Sequence, residues 1–156
     1  MSLFPIISPV PLVGYRYLKI NGTATTDGPG GHYREIKWFV DTTDYPAAAM
    51  TANDAPSPLV VSANEEDSGA AYLAYDNTSA HWDTVTSLPS YIKLDLGAGN
   101  EIEPTSVKLT AGAAYNRVFL DFTLEGSNDD SSWDVLKTVT GESSWSSGLE
   151  RTYTIT

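Results

Sequence analysis

Asp121-Phe122-Thr123-Leu124-Glu125-Gly126-Ser127-Asn128-Asp129-Asp130-Ser131-Ser132-Trp133 reads as an amphipathic strand, a tight polar turn and an aromatic that opens the next strand. Val118, Leu120, Phe122 and Leu124 alternate with Phe119, Asp121, Thr123 and Glu125. That period of two is what a half-buried strand requires, because successive side chains point to opposite faces. Ser127 to Ser132 supply short polar side chains that bond their own backbone and tolerate unusual dihedrals. The stretch predicts a β-hairpin.

The rest of the chain agrees with an all-β fold. Its 156 residues suggest one domain, large enough to bury roughly two-thirds of its unfolded surface. The 4 Trp, 9 Tyr and 4 Phe, among many Thr, Val and Ser residues, favour strands over helices. No segment keeps helical spacing over three turns. Nine Pro and twelve Gly cut the sequence into the short runs that a β-sandwich needs.

Charge and residue usage narrow the function. The net charge of −11 is spread along the chain, with nine acidic and four basic residues in 1–78 and eleven and five in 79–156. No basic stripe exists to track phosphates, so no nucleic-acid partner is expected. An anionic membrane surface would repel such a chain, and the acidity reads first as solubility. Zero cysteines exclude a disulfide framework, a thiolate metal site and a thiol nucleophile. The stretch Met1–Pro11 is apolar, but no Lys or Arg precedes it, three prolines interrupt it, and it is too short to span a bilayer. Neither a signal peptide nor membrane insertion is expected from it. The two histidines, His32 and His81, lie in no nucleophile or metal motif, and no G-x-S-x-G, H-E-x-x-H or P-loop pattern occurs. The reading is of a non-enzyme.

Three further segments, in order, point to a family. Met50-Thr51-Ala52-Asn53-Asp54-Ala55-Pro56-Ser57-Pro58 is followed by Ala71-Tyr72-Leu73-Ala74-Tyr75-Asp76-Asn77 with His81-Trp82, and then by Tyr91-Ile92-Lys93-Leu94-Asp95-Leu96-Gly97. With the hairpin they resemble the discoidin-like (factor V/VIII type C) module from about residue 50 to 140. That resemblance implies an all-β, galactose-binding-like jelly-roll β-sandwich. Two phrases that usually close the module stand first here: Tyr15-Arg16-Tyr17-Leu18-Lys19-Ile20 and Tyr33-Arg34-Glu35-Ile36-Lys37-Trp38-Phe39-Val40. The resemblance therefore implies a circular permutation. The physical alternative is that residues 15–40 complete a neighbouring subunit's sandwich, giving a homo-oligomer by strand exchange. The intramolecular version is preferred, because the 41–60 linker is long enough to cross a domain. Residues 14–156 are read as one domain. Residues 1–13 form an apolar arm whose Leu3, Phe4, Ile6 and Ile7 are costly to leave in water and suit a neighbouring protein.

The resemblance also suggests sites. Many such modules hold a structural calcium ion, and the matching positions are Asp76, the carbonyl region at Asn77, and Glu35. Asp76 and Trp82 are six apart, one fewer than usual, and Ala80 falls where a threonine would contribute. Glycan sites on these folds combine an aromatic platform with hydrogen-bonding groups on end loops. His81, Tyr115, Asn116 and Arg117 are the candidates there, with Tyr45 and Trp145 as further aromatics. Trp82 and Trp133 match core positions. Many galactose-binding relatives carry an arginine at the end of the strand containing Val107 and Leu109, where Thr110 stands here.

Cysteine-free copies with the Met50–Pro58 wording look most like those of bacteriophage structural proteins. The expectation is a non-catalytic virion surface protein, a capsid decoration or tail-associated protein. Its arm would meet virion structural proteins and its loops would meet host cell-surface glycans. The alternatives are a free, extracellular lectin-like module and a purely structural cement protein whose sugar site has decayed.

Overall fold

A computed structural model describes residues 14–26, 30–84 and 88–156. The arm residues Leu3, Phe4, Ile6 and Ile7 lie outside the described residues.

Ten strands follow in order: β1 (Tyr17–Thr25), β2 (His32–Val40), β3 (Thr43–Tyr45), β4 (Val60–Ala63), β5 (Trp82–Asp83), β6 (Ser90–Asp95), β7 (Ser106–Ala111), β8 (Phe119–Ser127), β9 (Asp134–Val139) and β10 (Glu150–Thr154). Single 3-10 turns cover Ala71–Ala74 and Tyr115–Arg117. The strands form two antiparallel sheets. One runs β4-β6-β1-β8-β9; the other runs β10-β7-β2-β3, with β5 also pairing β2. The protein is an all-β sandwich.

Alternation builds the core. In β1 and β6, Leu18, Ile20, Ile92 and Leu94 are fully buried, while Tyr17, Lys19, Asn21, Tyr91, Lys93 and Asp95 point away from it. Facing them across the sandwich are Ile36, Trp38, Val107 and Leu109, all at 0% exposure. Each such side chain contributes roughly 1.5–3 kcal/mol when withdrawn from water.

The early strands are not appendages. β1 lies between β6 and β8, and β2 lies between β7 and the pair β3 and β5, all within one chain. Within the described chain, Tyr17–Thr25 and His32–Val40 fill the middle of both sheets of one sandwich, the arrangement that the intramolecular version expects. Tyr15 and Thr156 line one common cleft of about 710 Å³.

The hairpin forms as read. Ser127 Oγ accepts the Asp129 and Asp130 N–H groups at 3.2 and 3.1 Å, and Asp129 Oδ1 accepts those of Ser131 and Ser132 at 2.9 and 2.7 Å. These bonds hold the Asp129 carboxyl well below the usual carboxylate range. Two details of the reading are corrected. First, the strict alternation fails at the start of β8: Phe119 is fully buried and Leu120 only partly. The β1–β8 register shifts between Gly22 and Thr25, an irregularity that turns Phe119 inward. Its ring then lies against Gly22, where an added Cβ would come within 2.1 Å of Phe119 Cδ1. Second, Trp133 is not core. It is half-buried, with the Lys19 ammonium 3.8 Å from its ring centroid.

Candidate functional site

The start of β2 and the short β5 pair with His32 opposite Asp83 and Tyr33 opposite Trp82. That register places two polar side chains where the sandwich ends, over an aromatic floor. Tyr33 stacks parallel to Trp82 at 6.4 Å, and Phe119 meets both edge-on. The Tyr33 hydroxyl accepts the Phe119 N–H at 3.1 Å, tying the end of the Tyr115–Arg117 turn to the floor.

Asp83, only 5% exposed, is the hub above it. Ser68 Oγ donates to Asp83 Oδ2 at 2.9 Å, and Arg117 Nη1 donates to Oδ1 and Oδ2 at 3.1 and 3.3 Å. His32 Nδ1 lies 3.2 Å from Asp83 Oδ1, within ion-pair distance but outside good hydrogen-bond geometry. Burial pushes the Asp83 carboxyl up, but the bond from Ser68, the His32 ring beside it and the charge of Arg117 outweigh it and hold it below the ordinary carboxylate range. Burial also depresses His32, more than Asp83 raises it. A buried neutral His32 then serves as the plate on which His81 stacks, at 4.1 Å between centroids and 27° between planes. Gly112 gives that ring its room, since a Cβ there would stand 2.0 Å from His32 Cδ2.

Four of the glycan candidates belong to this end. Arg117 is bonded to Asp83, His81 is stacked on His32, and Tyr115 stands 46% exposed on the turn that carries Arg117. Asn116 lies between them, half-buried. The other two are elsewhere. Tyr45 pairs with Trp38 near the far end of β2, roughly 20 Å along the strand from His32. Trp145 is 7% exposed, packed in the core with the Arg151 guanidinium 4.5 Å over its ring. His32, Asp83 and Ser68 were not legible as site residues, because only the β2–β5 pairing makes them neighbours.

The calcium candidates do come together on the outer side of the second sheet. Burial pushes the Glu35 carboxyl up to about 7, aided by the nearby Asp76 charge and opposed by Lys37 and the Asn77 N–H. The donor set, however, does not fit calcium, which takes about 6–8 oxygens. Both Asp76 oxygens accept the Thr78 hydroxyl, at 2.9 and 2.8 Å, and Oδ1 also accepts the Thr78 N–H at 2.8 Å. Asn77 turns its N–H, a donor, toward Glu35. Among the described residues no group of three His, Cys, Asp or Glu side chains could hold a metal ion. Asp76 is assigned to holding the loop.

Glu35 supplies a prediction. Its folded pKa lies above the ordinary 4.5, so its contribution is intact below that value and is lost as pH rises through about 7. Glu35→Gln should stabilise the protein at pH 8 by about 1 kcal/mol after solvent screening, and should do little at pH 4. Thermal melts at the two pH values check this. A saturated calcium site would add about 2.7 kcal/mol at a hundredfold excess over Kd. The same melts should instead coincide in calcium and in chelator.

No family model, curated protein or solved structure matches the chain.

Proposed function

We propose that this chain is a non-catalytic binding module of carbohydrate-recognising type, displayed at a virion surface, with the Asp83 end of the sandwich facing the glycan. The observation that carries the reading is the Asp83 hub. It fixes a guanidinium and a stacked imidazole beside an exposed tyrosine, on a base that is almost wholly buried. A pyranose presents hydroxyls at its edge and apolar C–H bonds on its face. Arg117 and the rim of Asp83 offer the edge a donor fork and an acceptor, and Tyr115 offers the face an aromatic surface. Preorganisation reduces the entropy lost on binding, which matters most for a small, flexible ligand. Single-site affinity would be weak, and many copies on a particle would raise it through avidity. The particle setting is supported by the likeness of the Met50–Pro58 wording to phage copies.

Glycan-array binding of the full chain against Tyr115→Ala tests the reading. Tyr115 is exposed enough that its removal should leave the fold intact. The expected result is saturable binding of one glycan class, weakened at least about tenfold by the substitution, or about 1.4 kcal/mol. Identical profiles for the two proteins would remove this end from consideration.

A further inference from the structure

The outer face of the first sheet carries a second arrangement with no residue in common with the Asp83 end. Cross-strand register sets Lys19 of β1 directly opposite Lys93 of β6, with Glu125 of β8 opposite Lys19 on its other side. One pairing step away, Tyr91 stands opposite Asn21. Like charges facing each other on a sheet are unfavourable. Here each is answered by a carboxylate: Lys19 Nζ lies 2.6 Å from Glu125, and Lys93 Nζ lies 2.6 Å from Asp130. The β8–β9 turn brings the second of these. Its cage of Ser127 and Asp129 bonds holds Asp130 in the left-handed region, φ 59°, and extends it toward Lys93. The same turn delivers Trp133 over the Lys19 ammonium. Lys19, Tyr91, Lys93, Asp130 and Trp133 together line a shallow cavity of about 200 Å³.

We propose that this cavity is a second binding site, taking one ring of a neutral glycan beside Tyr91 and Trp133. Two half-buried aromatics stand at its walls; the Lys19 ammonium covers one face of the Trp133 indole, and the phenol of Tyr91 and the open part of the indole remain for the apolar C–H bonds of a pyranose. Two ammonium groups, each with three N–H donors and one carboxylate partner, retain capacity for ring hydroxyls. The volume lies below the 300–1,000 Å³ typical of sites for larger ligands, which limits the occupant to about one ring. Charge decides the ligand's sign. Lys19, Lys93, Glu125 and Asp130 sum to zero, and the chain as a whole carries −11, so an anionic sugar gains nothing here.

Tryptophan fluorescence reads this site directly. Trp38, Trp82 and Trp145 are at 0%, 0% and 7% exposure, which leaves Trp133 as the tryptophan a ligand can touch. The full chain is titrated with neutral oligosaccharides of glucose, galactose and mannose, and in parallel with uronic-acid oligosaccharides. The expected result is a saturable emission change with a neutral sugar. It should be weakened at least about tenfold in Tyr91→Ala, read by calorimetry in Trp133→Ala as a similar loss, and kept in Tyr115→Ala. Retention in Tyr115→Ala separates this site from the Asp83 end, so either can fail alone. Circular dichroism verifies folding, and Tyr91→Ala decides the matter if Trp133→Ala does not fold. Absence of saturable binding, binding undiminished in Tyr91→Ala, or binding confined to uronic acids would overturn the proposal.

Discussion

Replacing Trp82 by alanine is expected to cost about 3–5 kcal/mol, the range for a large aromatic removed from a close-packed interior. The thermal midpoint should fall by roughly 6–20 °C, at about 2–4 °C per kcal/mol for a chain of this size. The indole is fully buried, shares its ring contacts with Tyr33 and Phe119, and donates from Nε1 to the Glu65 carbonyl at 3.1 Å. Collapse around the cavity is limited on one side by Gly31, whose backbone already lies so close that a Cβ would meet the ring at 2.6 Å. Trp82→Phe separates the two contributions. It keeps most of the apolar volume but leaves the Glu65 carbonyl without its donor, for a cost of about 1–3 kcal/mol. Denaturant melts of the two variants measure both numbers. A loss below about 1 kcal/mol for the alanine variant would mean that the aromatic floor is not the packed unit described above.

Asp83→Ala should have the next largest effect, about 2–4 kcal/mol, because it strips a nearly buried carboxylate from Ser68 and Arg117 and leaves those donors unanswered. The wild-type pH dependence has a definite sign. His32 is held below its ordinary 6.5 when folded, so the unfolded chain takes up that proton first and stability drains as pH falls below about 6.5. Asp83 is held below its ordinary 3.8, so its contribution is present above that value and is lost as pH drops through the lower, folded pKa. Wild type should therefore weaken in two stages on acidification. In Asp83→Ala the second stage should be shallower, and the proposed glycan binding at Tyr115 should fall with it, since Arg117 loses its anchor. Melts from pH 8 to pH 3 resolve the stages. Parallel curves for the two proteins would show that Asp83 does not hold this end together.

Much of the frame was legible because strand signals are local. Phe122 and Leu124, read from the alternation as one face, are buried in β8, and Asp121 and Thr123 beside them are only half-buried. The Ser127–Ser132 turn is likewise readable, because its bonds are made by its own side chains. What failed was set by partners distant in sequence. Phe119 turns inward because Gly22, on a different strand, leaves space for its ring. Trp133 stays at the surface because Lys19 is there to meet it. Residue type alone did not say at which end of the sandwich an aromatic lies, so Tyr45 and Trp145 were grouped with Tyr115. Loop position picks out His81 and Arg117, and the structure brings the two to one end of the sandwich. Asp83, which bonds Arg117 and lies beside the His32 ring that carries His81, gave no sign in the sequence, since its role depends on being paired with His32.

The most direct test is a heteronuclear NMR titration of the full chain with whichever glycan gives the strongest array signal. The account predicts dose-dependent shifts concentrated at His81, Asp83 and Tyr115 to Arg117, with the buried Ile36, Trp38, Val107 and Leu109 unmoved. Shifts confined to other surfaces, or none at saturating sugar, would contradict it.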